Sequence, residues 1–147
     1  MLERELIVRE LWKRMSQVDG VQYTARNPKA TPDTNDLPCI QFFELNDKVI
    51  GTSSRGGYPI YKRVLSVAIE LIVNSEKEAA CSKELGEFSQ ATKKKLYEGG
   101  VTLGGRNCEI KETDATRVMR PPVGENSAMI GFGLDITYIE DTNLLFV

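Results

Sequence analysis

Histidine is absent from this chain of 147 residues. Its absence removes the commonest general base, the commonest metal ligand and every Ser-His or Cys-His nucleophile arrangement. Cysteine is scarce: Cys39, Cys81 and Cys108 are odd in number, far apart and without a Cys-x-x-Cys pair. Each stands among apolar residues, which reads as a buried reduced thiol rather than a zinc ligand or redox centre. Aromatic residues are few and scattered, so no stacking platform for single strands is legible. No apolar run reaches the roughly 18–20 residues of a membrane span, and the N-terminus reads as a charged helix rather than a signal peptide. The expected compartment is the cytoplasm, with no membrane partner. A charge excess is missing too: 19 Lys and Arg face 21 Asp and Glu, a formal net charge of −2. Tight sequence-independent binding of duplex DNA comes with a basic surface, which this balance does not supply. A passage through which DNA slides without sticking fits it.

What is present is led by the run Tyr58 to Asn74, which feeds into an amphipathic helix closing on Gly99 and Gly100. Tyr61, Leu65, Val67, Ile69, Leu71 and Val73 share one face at spacing two, broken only by Arg63, while Lys62, Ser66 and Glu70 mark the other. Such alternation predicts a strand with one buried face. At roughly 3.3 Å per residue it spans on the order of 50 Å, more than a domain of this size covers. The excess is expected to project as an arm or to pair with a neighbouring subunit.

Around it, residues 1–18 read as a helix with Leu2, Leu6, Leu11, Met15 and Val18 as an apolar stripe, widened by Ile7, Val8 and Trp12. Residues 21–26 are a short strand candidate. Residues 27–38 hold three prolines and form a loop, and residues 39–45 a second strand. Residues 46–57, rich in glycine and serine, read as a second loop, mobile until something docks against it. Ser75 and Glu78 match a capping box before a helix to about Glu98, buried through Ala80, Cys81, Leu85, Phe88, Ala91 or Thr92, and Leu96. Residues 101–105 are a short strand or turn, residues 108–119 alternate loosely, and residues 127–139 form the last strand. Gly131 and Gly133 on one face of that strand suggest a bulge or a close backbone approach. The apolar residues 144–147 fold back on the core or dock on a partner. One domain of α+β class follows: a two-layer sandwich, its antiparallel or mixed sheet built on a very long central strand, two helices on one face.

The motifs that carry chemistry are missing. Gly51 to Gly57 and Gly99 to Gly105 are glycine-rich, but neither ends in Gly-Lys-Ser/Thr nor opens a helix after a strand. Gly104 and Gly105 read as a hairpin turn. Asp33, Asp36 and Asp47 read as solvated loop acids, with no calcium-loop spacing. Lys93, Lys94 and Lys95 read as a solvated helix end that complements the dipole, with DNA contact as the alternative. Arg55, Lys62, Arg63, Arg117 and Arg120 form a scattered basic strip near one end of the sheet, able to touch phosphate or to pair with acids across a subunit interface. No cofactor and no enzymatic constellation are expected.

The helix segment ELWKRM at 10–15, the Arg26-Asn27-Pro28 turn, the strand LPCIQFFEL at 37–45 and Tyr61-Lys62-Arg63 make a pattern with the long strand, its helix and the closing IGFGLDITYIED at 130–141. Together they resemble the tail terminator, or tail completion, proteins of long-tailed bacteriophages, over nearly the whole chain. The resemblance implies a virion protein without catalysis. It implies a hexameric homo-oligomeric ring that caps the tail tube protein, ends its polymerisation and presents a surface to the head connector or stopper, with genomic DNA crossing the lumen unbound. Candidate interface residues are Val49, Ile50 and Arg55 in the 46–57 loop, Tyr58, Tyr61 and Arg63 at the start of the long strand, Arg117 and Arg120, and Leu144, Leu145 and Phe146. Another neck component, a DNA-binding accessory protein and a metal-dependent enzyme are the competing readings.

Overall fold

The computed structural model describes residues 3–74, 78–113, 117–119 and 127–143, with the side chains at 78–82 and 117–119 also outside the description. Among the described residues the order is α1 (Glu3–Ser16), β1 (Tyr23–Arg26), a 3-10 turn (Thr34–Asp36), β2 (Cys39–Arg55), β3 (Tyr58–Asn74), α2 (Glu78–Leu96), β4 (Cys108–Glu112), β5 (Arg117–Met119) and β6 (Ser127–Asp141). The sheet runs β1-β2-β3-β6-β4, with β5 also paired to β6. Its β1–β2 pair is parallel and the others are antiparallel, so the sheet is mixed and the 17-residue β3 is its central strand. The α+β architecture read from the sequence is the one observed.

Period-two patterning on β3 does what it predicts. Leu65, Val67, Ile69, Leu71 and Val73 are buried, and β6 sets Phe132, Leu134, Ile136 and Tyr138 beside them. Ile7, Val8, Leu11 and Met15 from α1 and Leu85, Phe88 and Leu96 from α2 complete the same cluster, which places both helices on one face. Burying one such aliphatic side chain is worth about 1.5–3 kcal/mol, so a charge at Ile69 would undo the sandwich. Trp12 departs from expectation: it is 43% exposed, because the buried stripe of α1 centres on Leu11 and Met15 and turns position 12 outward.

The largest correction concerns residues 46–57, read as a mobile loop. They are the second half of β2 and a two-residue turn, paired with β3 from Asn46↔Ser66 to Arg55↔Tyr58. Gly56 and Gly57, at φ +60° and +86°, supply the left-handed backbone that a tight hairpin turn needs. Two register shifts, at Leu45 and Ile50, absorb the extra residues of β2. The far end of β3, expected to project as an arm or to pair with a neighbouring subunit, is flanked within the chain by β2 and by β6, as far as Ile60↔Asp141.

Smaller differences follow the same logic. Residues 101–105 are turns, one of the two forms expected for them. Gly104 and Gly105 join α2 to β4, so they do not close a hairpin. Gly104, at φ +76°, lies so near Arg14 that a Cβ would sit 2.6 Å from its Nη2. Arg14 donates through Nη1 to the carbonyls of Lys95 (3.1 Å), Leu96 (3.2 Å) and Glu98 (2.7 Å), tying α1 to the C-terminal end of α2. Gly131 and Gly133 cause no bulge against β3, since they pair with Glu70 and Ala68 in unbroken register. They lie where the outer partner of β6 changes from β5 to β4. Cys39 and Cys108 are buried free thiols, pushed up to about 12 and about 11 chiefly by burial. The side chain of Cys81 and the Ser75 cap lie outside the described residues.

Candidate interaction surface on the strand arm

Burial on β3 begins at Leu65; from Tyr58 to Val64 the strand is exposed or half-buried. With β2 beyond Glu44 and the last residues of β6, this stretch makes a three-stranded arm that leaves the helical layer behind. The arm exposes Leu45 (61%), Ile50 (50%), Val49, Tyr58 and Ile139. Of eight exposed large hydrophobic residues among the described ones, these five stand on one element pair and its neighbour. They are shared between the arm's two faces, Val49 beside Arg63 on the helix-facing side and Tyr58 and Ile139 on the other.

At its root the arm is fastened by charge. Arg63 and Asp47 fall on the helix-facing side of the sheet, where an unpaired charge would be costly. Asp47 accepts from the Tyr138 hydroxyl at 2.6 Å and from Arg4 Nη1 at 3.1 Å, and Arg63 Nη1 stands 3.8 Å from its other oxygen. Arg63 Nε donates to Glu140 at 3.1 Å, and its guanidinium lies 5.3 Å from the centre of the Tyr61 ring. Glu44 collects Arg4 (3.1 Å), Arg26 Nε (2.9 Å) and the Asn27 side-chain amide (2.6 Å), while Arg26 also grips Glu5 in a two-point contact at 2.9 and 3.0 Å. Burial raises the Glu44 carboxyl, but the three donors outweigh it and hold it below its usual range. Hydrogen bonding from Arg26 takes Glu5 down to about 2. Burial, and then the bond to Asp47, push the Tyr138 hydroxyl up.

These contacts settle several readings. Asp47 is not a solvated loop acid but an anchor within β2. Arg63 meets acids, as expected, but the acids belong to its own chain. Lys93 pairs with Glu112 at 3.3 Å and sits 5.1 Å from the Phe132 ring centre, so it is half-buried rather than solvated; Lys95 pairs with Glu98. Of the basic strip expected near one end of the sheet, Arg55, Lys62 and Arg63 share the arm, and the backbone of Arg117 does not join them. Arg55 is at the hairpin turn, whereas the backbone of Arg117 pairs with Gly131, ten register steps from Asp141 and about 33 Å away. Val49, Ile50, Arg55, Tyr58, Tyr61 and Arg63 are thus brought together on the arm. Arg120, Leu144, Leu145 and Phe146 lie outside the described residues, as does the Arg117 side chain.

Sequence reasoning missed Leu45, Ile139 and the Arg4–Glu44–Asp47 anchor. One signal was present: a charged Arg63 in the middle of an apolar face demands buried acids nearby. On the opposite, helix-free face, small side chains at Ala68, Gly131 and Gly133 leave a shallow groove of about 480 Å³ edged by Glu70 and Asp135.

No family model and no curated protein matches the chain. Solved structures do match, one of them covering 90% of this chain and 94% of its own at 16% identity and a TM-score of 0.45. A likeness of that strength carries no argument about fold or function.

Proposed function

We propose that this chain is a structural protein of a phage tail, a terminator whose copies close into a ring on the end of the tail tube. In this reading the ring stops tube growth and offers its other side to the head connector, and DNA crosses the lumen without being held. The observation that carries it is the arm. A sheet that extends three strands past its own core, with Leu45, Val49, Ile50, Tyr58 and Ile139 exposed there, gains its stability on contact with other subunits. The rigid anchor at the arm's root supports the same reading, because an interface held in one orientation loses little entropy on docking. Arg4, Arg26, Arg63, Lys93 and Lys95 are engaged by acids of the same chain, which weighs against a DNA-binding accessory role.

The reading is tested by polymerising tube protein with and without the purified chain and imaging the products in negative stain. Tubes of limited length with extra density at one end support it. Tubes that grow unchanged, together with binding to connector protein, assign the chain to the head side of the neck instead. Ile50→Asp, at an exposed arm position, is expected to keep the fold and lose capping.

A further inference from the structure

The outer edge of β2 is open, and its position relative to the end of β6 identifies what fits it. β1 pairs with β2 only from Tyr23↔Cys39 to Arg26↔Phe42. The next outward amide, Glu44 N, is taken by the Asn27 side-chain oxygen at 2.8 Å, which ends that ladder. From Leu45 to Arg55 the strand has β3 on one side and, among the described residues, no backbone partner on the other. An unpaired strand edge is a template for another strand. Leu45, Val49 and Ile50, all exposed, lie along it, and the first and last occupy its two register shifts.

The opposite flank of the arm is where β6 ends. Its strand stops at Asp141, and Thr142 then donates through Oγ1 to the Pro59 carbonyl at 2.7 Å, which holds the chain at the hairpin end of β3. Leu144, Leu145 and Phe146 follow, an uncharged apolar run without proline or glycine and with good strand propensity. From Asn143 these three residues reach at most about 11 Å. Passing β3 and β2 to lie along the chain's own open edge takes three strand spacings, about 14 Å, which is beyond that reach. A second copy has no such limit.

We propose that residues 144–146 of one copy add as a short strand to the β2 edge of the next, against Leu45, Val49 and Ile50. The inference deepens the ring reading and rests on it for repeated head-to-tail contact. The open edge of β2 and the end of β6, from which the tail continues, are on opposite flanks of the arm, so each copy gives one and receives one, the requirement for a heterologous chain of contacts that closes into a ring. Backbone pairing supplies affinity and the three apolar side chains the register.

The test uses two variants of the full chain, Ile50→Asp at the edge and Leu145→Asp in the tail, with Ile50→Lys and Leu145→Lys as repeats of opposite charge. Both positions are tested by sedimentation equilibrium up to the solubility limit, with circular dichroism confirming the fold. Wild type is expected to associate beyond a dimer, and each variant alone to bind itself about 100-fold more weakly, since a charge must enter an apolar contact. An equimolar mixture is expected to form dimers and nothing larger, because only the intact tail of the Ile50→Asp copy can meet the intact edge of the Leu145→Asp copy. A wild type that stays monomeric, a Leu145→Asp variant that associates like wild type, or a mixture that remains monomeric overturns the proposal. Association by this edge in a chain that leaves tube growth unaffected would instead remove the terminator reading and keep this one.

Discussion

Truncating Asp47 to alanine removes one of the links that tie the arm to the rest of the fold. The loss can be worked from its partners. The Tyr138 side chain is 3% exposed, so its hydroxyl, bonded to Asp47 at 2.6 Å, has no ready replacement acceptor. An unsatisfied buried donor of this kind costs about 1–3 kcal/mol. Arg4 is partly solvated, with 39% of its side chain exposed, and its lost pair adds at most about 1 kcal/mol. Arg63 keeps Glu140, so its share is small. The total is about 1–4 kcal/mol out of the 5–15 kcal/mol that domains of this kind have. Urea unfolding followed by far-ultraviolet circular dichroism reads it as a lower midpoint at unchanged slope. Tyr138→Phe removes the donor and the Asp47→Ala/Tyr138→Phe double variant closes the cycle, with an expected coupling of about 1–2 kcal/mol. A loss under about 0.5 kcal/mol, or two effects that simply add, would refute the anchoring role.

Three further outcomes are expected. Glu5 and Glu44 both have folded-state values below the ordinary 4.5, Glu5 at about 2, so their contribution is present above pH 5 and fades as pH falls toward 2; Arg26→Met should flatten that acid limb of the melting-temperature profile, and an unchanged limb would contradict it. Replacing Gly56 and Gly57 by alanine forces two left-handed residues without glycine, at about 1–2 kcal/mol each, and proline-free loop insertion there should be tolerated better than at Leu65, as thermal melts will tell. Buried and raised to about 12, the Cys39 thiol should react with a maleimide far more slowly in the native chain than in urea, read by site-resolved mass spectrometry; equal rates would show that its pocket opens freely.

Much of the fold was legible because the long central strand obeys a strict period of two. The bounds Tyr58–Asn74 can be read directly from the alternation, and the α2 stripe through Leu85, Phe88 and Leu96 from the period of helices. The second half of β2 was not legible for a physical reason. Its residues face solvent on an arm with no core beneath, so burial imposes no alternation, and glycine and serine there look like a loop. What makes it a strand is the partner: β3 already extends to Tyr58, and Gly56-Gly57 allows the chain to turn straight back along it. Period alone also hid the bulges, since Leu45 and Ile50 only become visible as shifts once two strands are in register. In the candidate site, single residues such as Val49, Ile50, Tyr58 and Arg63 could be named from sequence, yet the anchor of Arg4, Glu44 and Asp47 joins α1 to β2 across some forty positions and follows from topology.

The most direct test of a tube-capping ring is to measure tube length against added chain by electron microscopy, holding tube protein constant. Mean length should fall as the chain is titrated, with a six-fold ring of density at one end of each tube and none along its side. Tubes that keep their length at saturating chain, with no terminal density, would contradict the account.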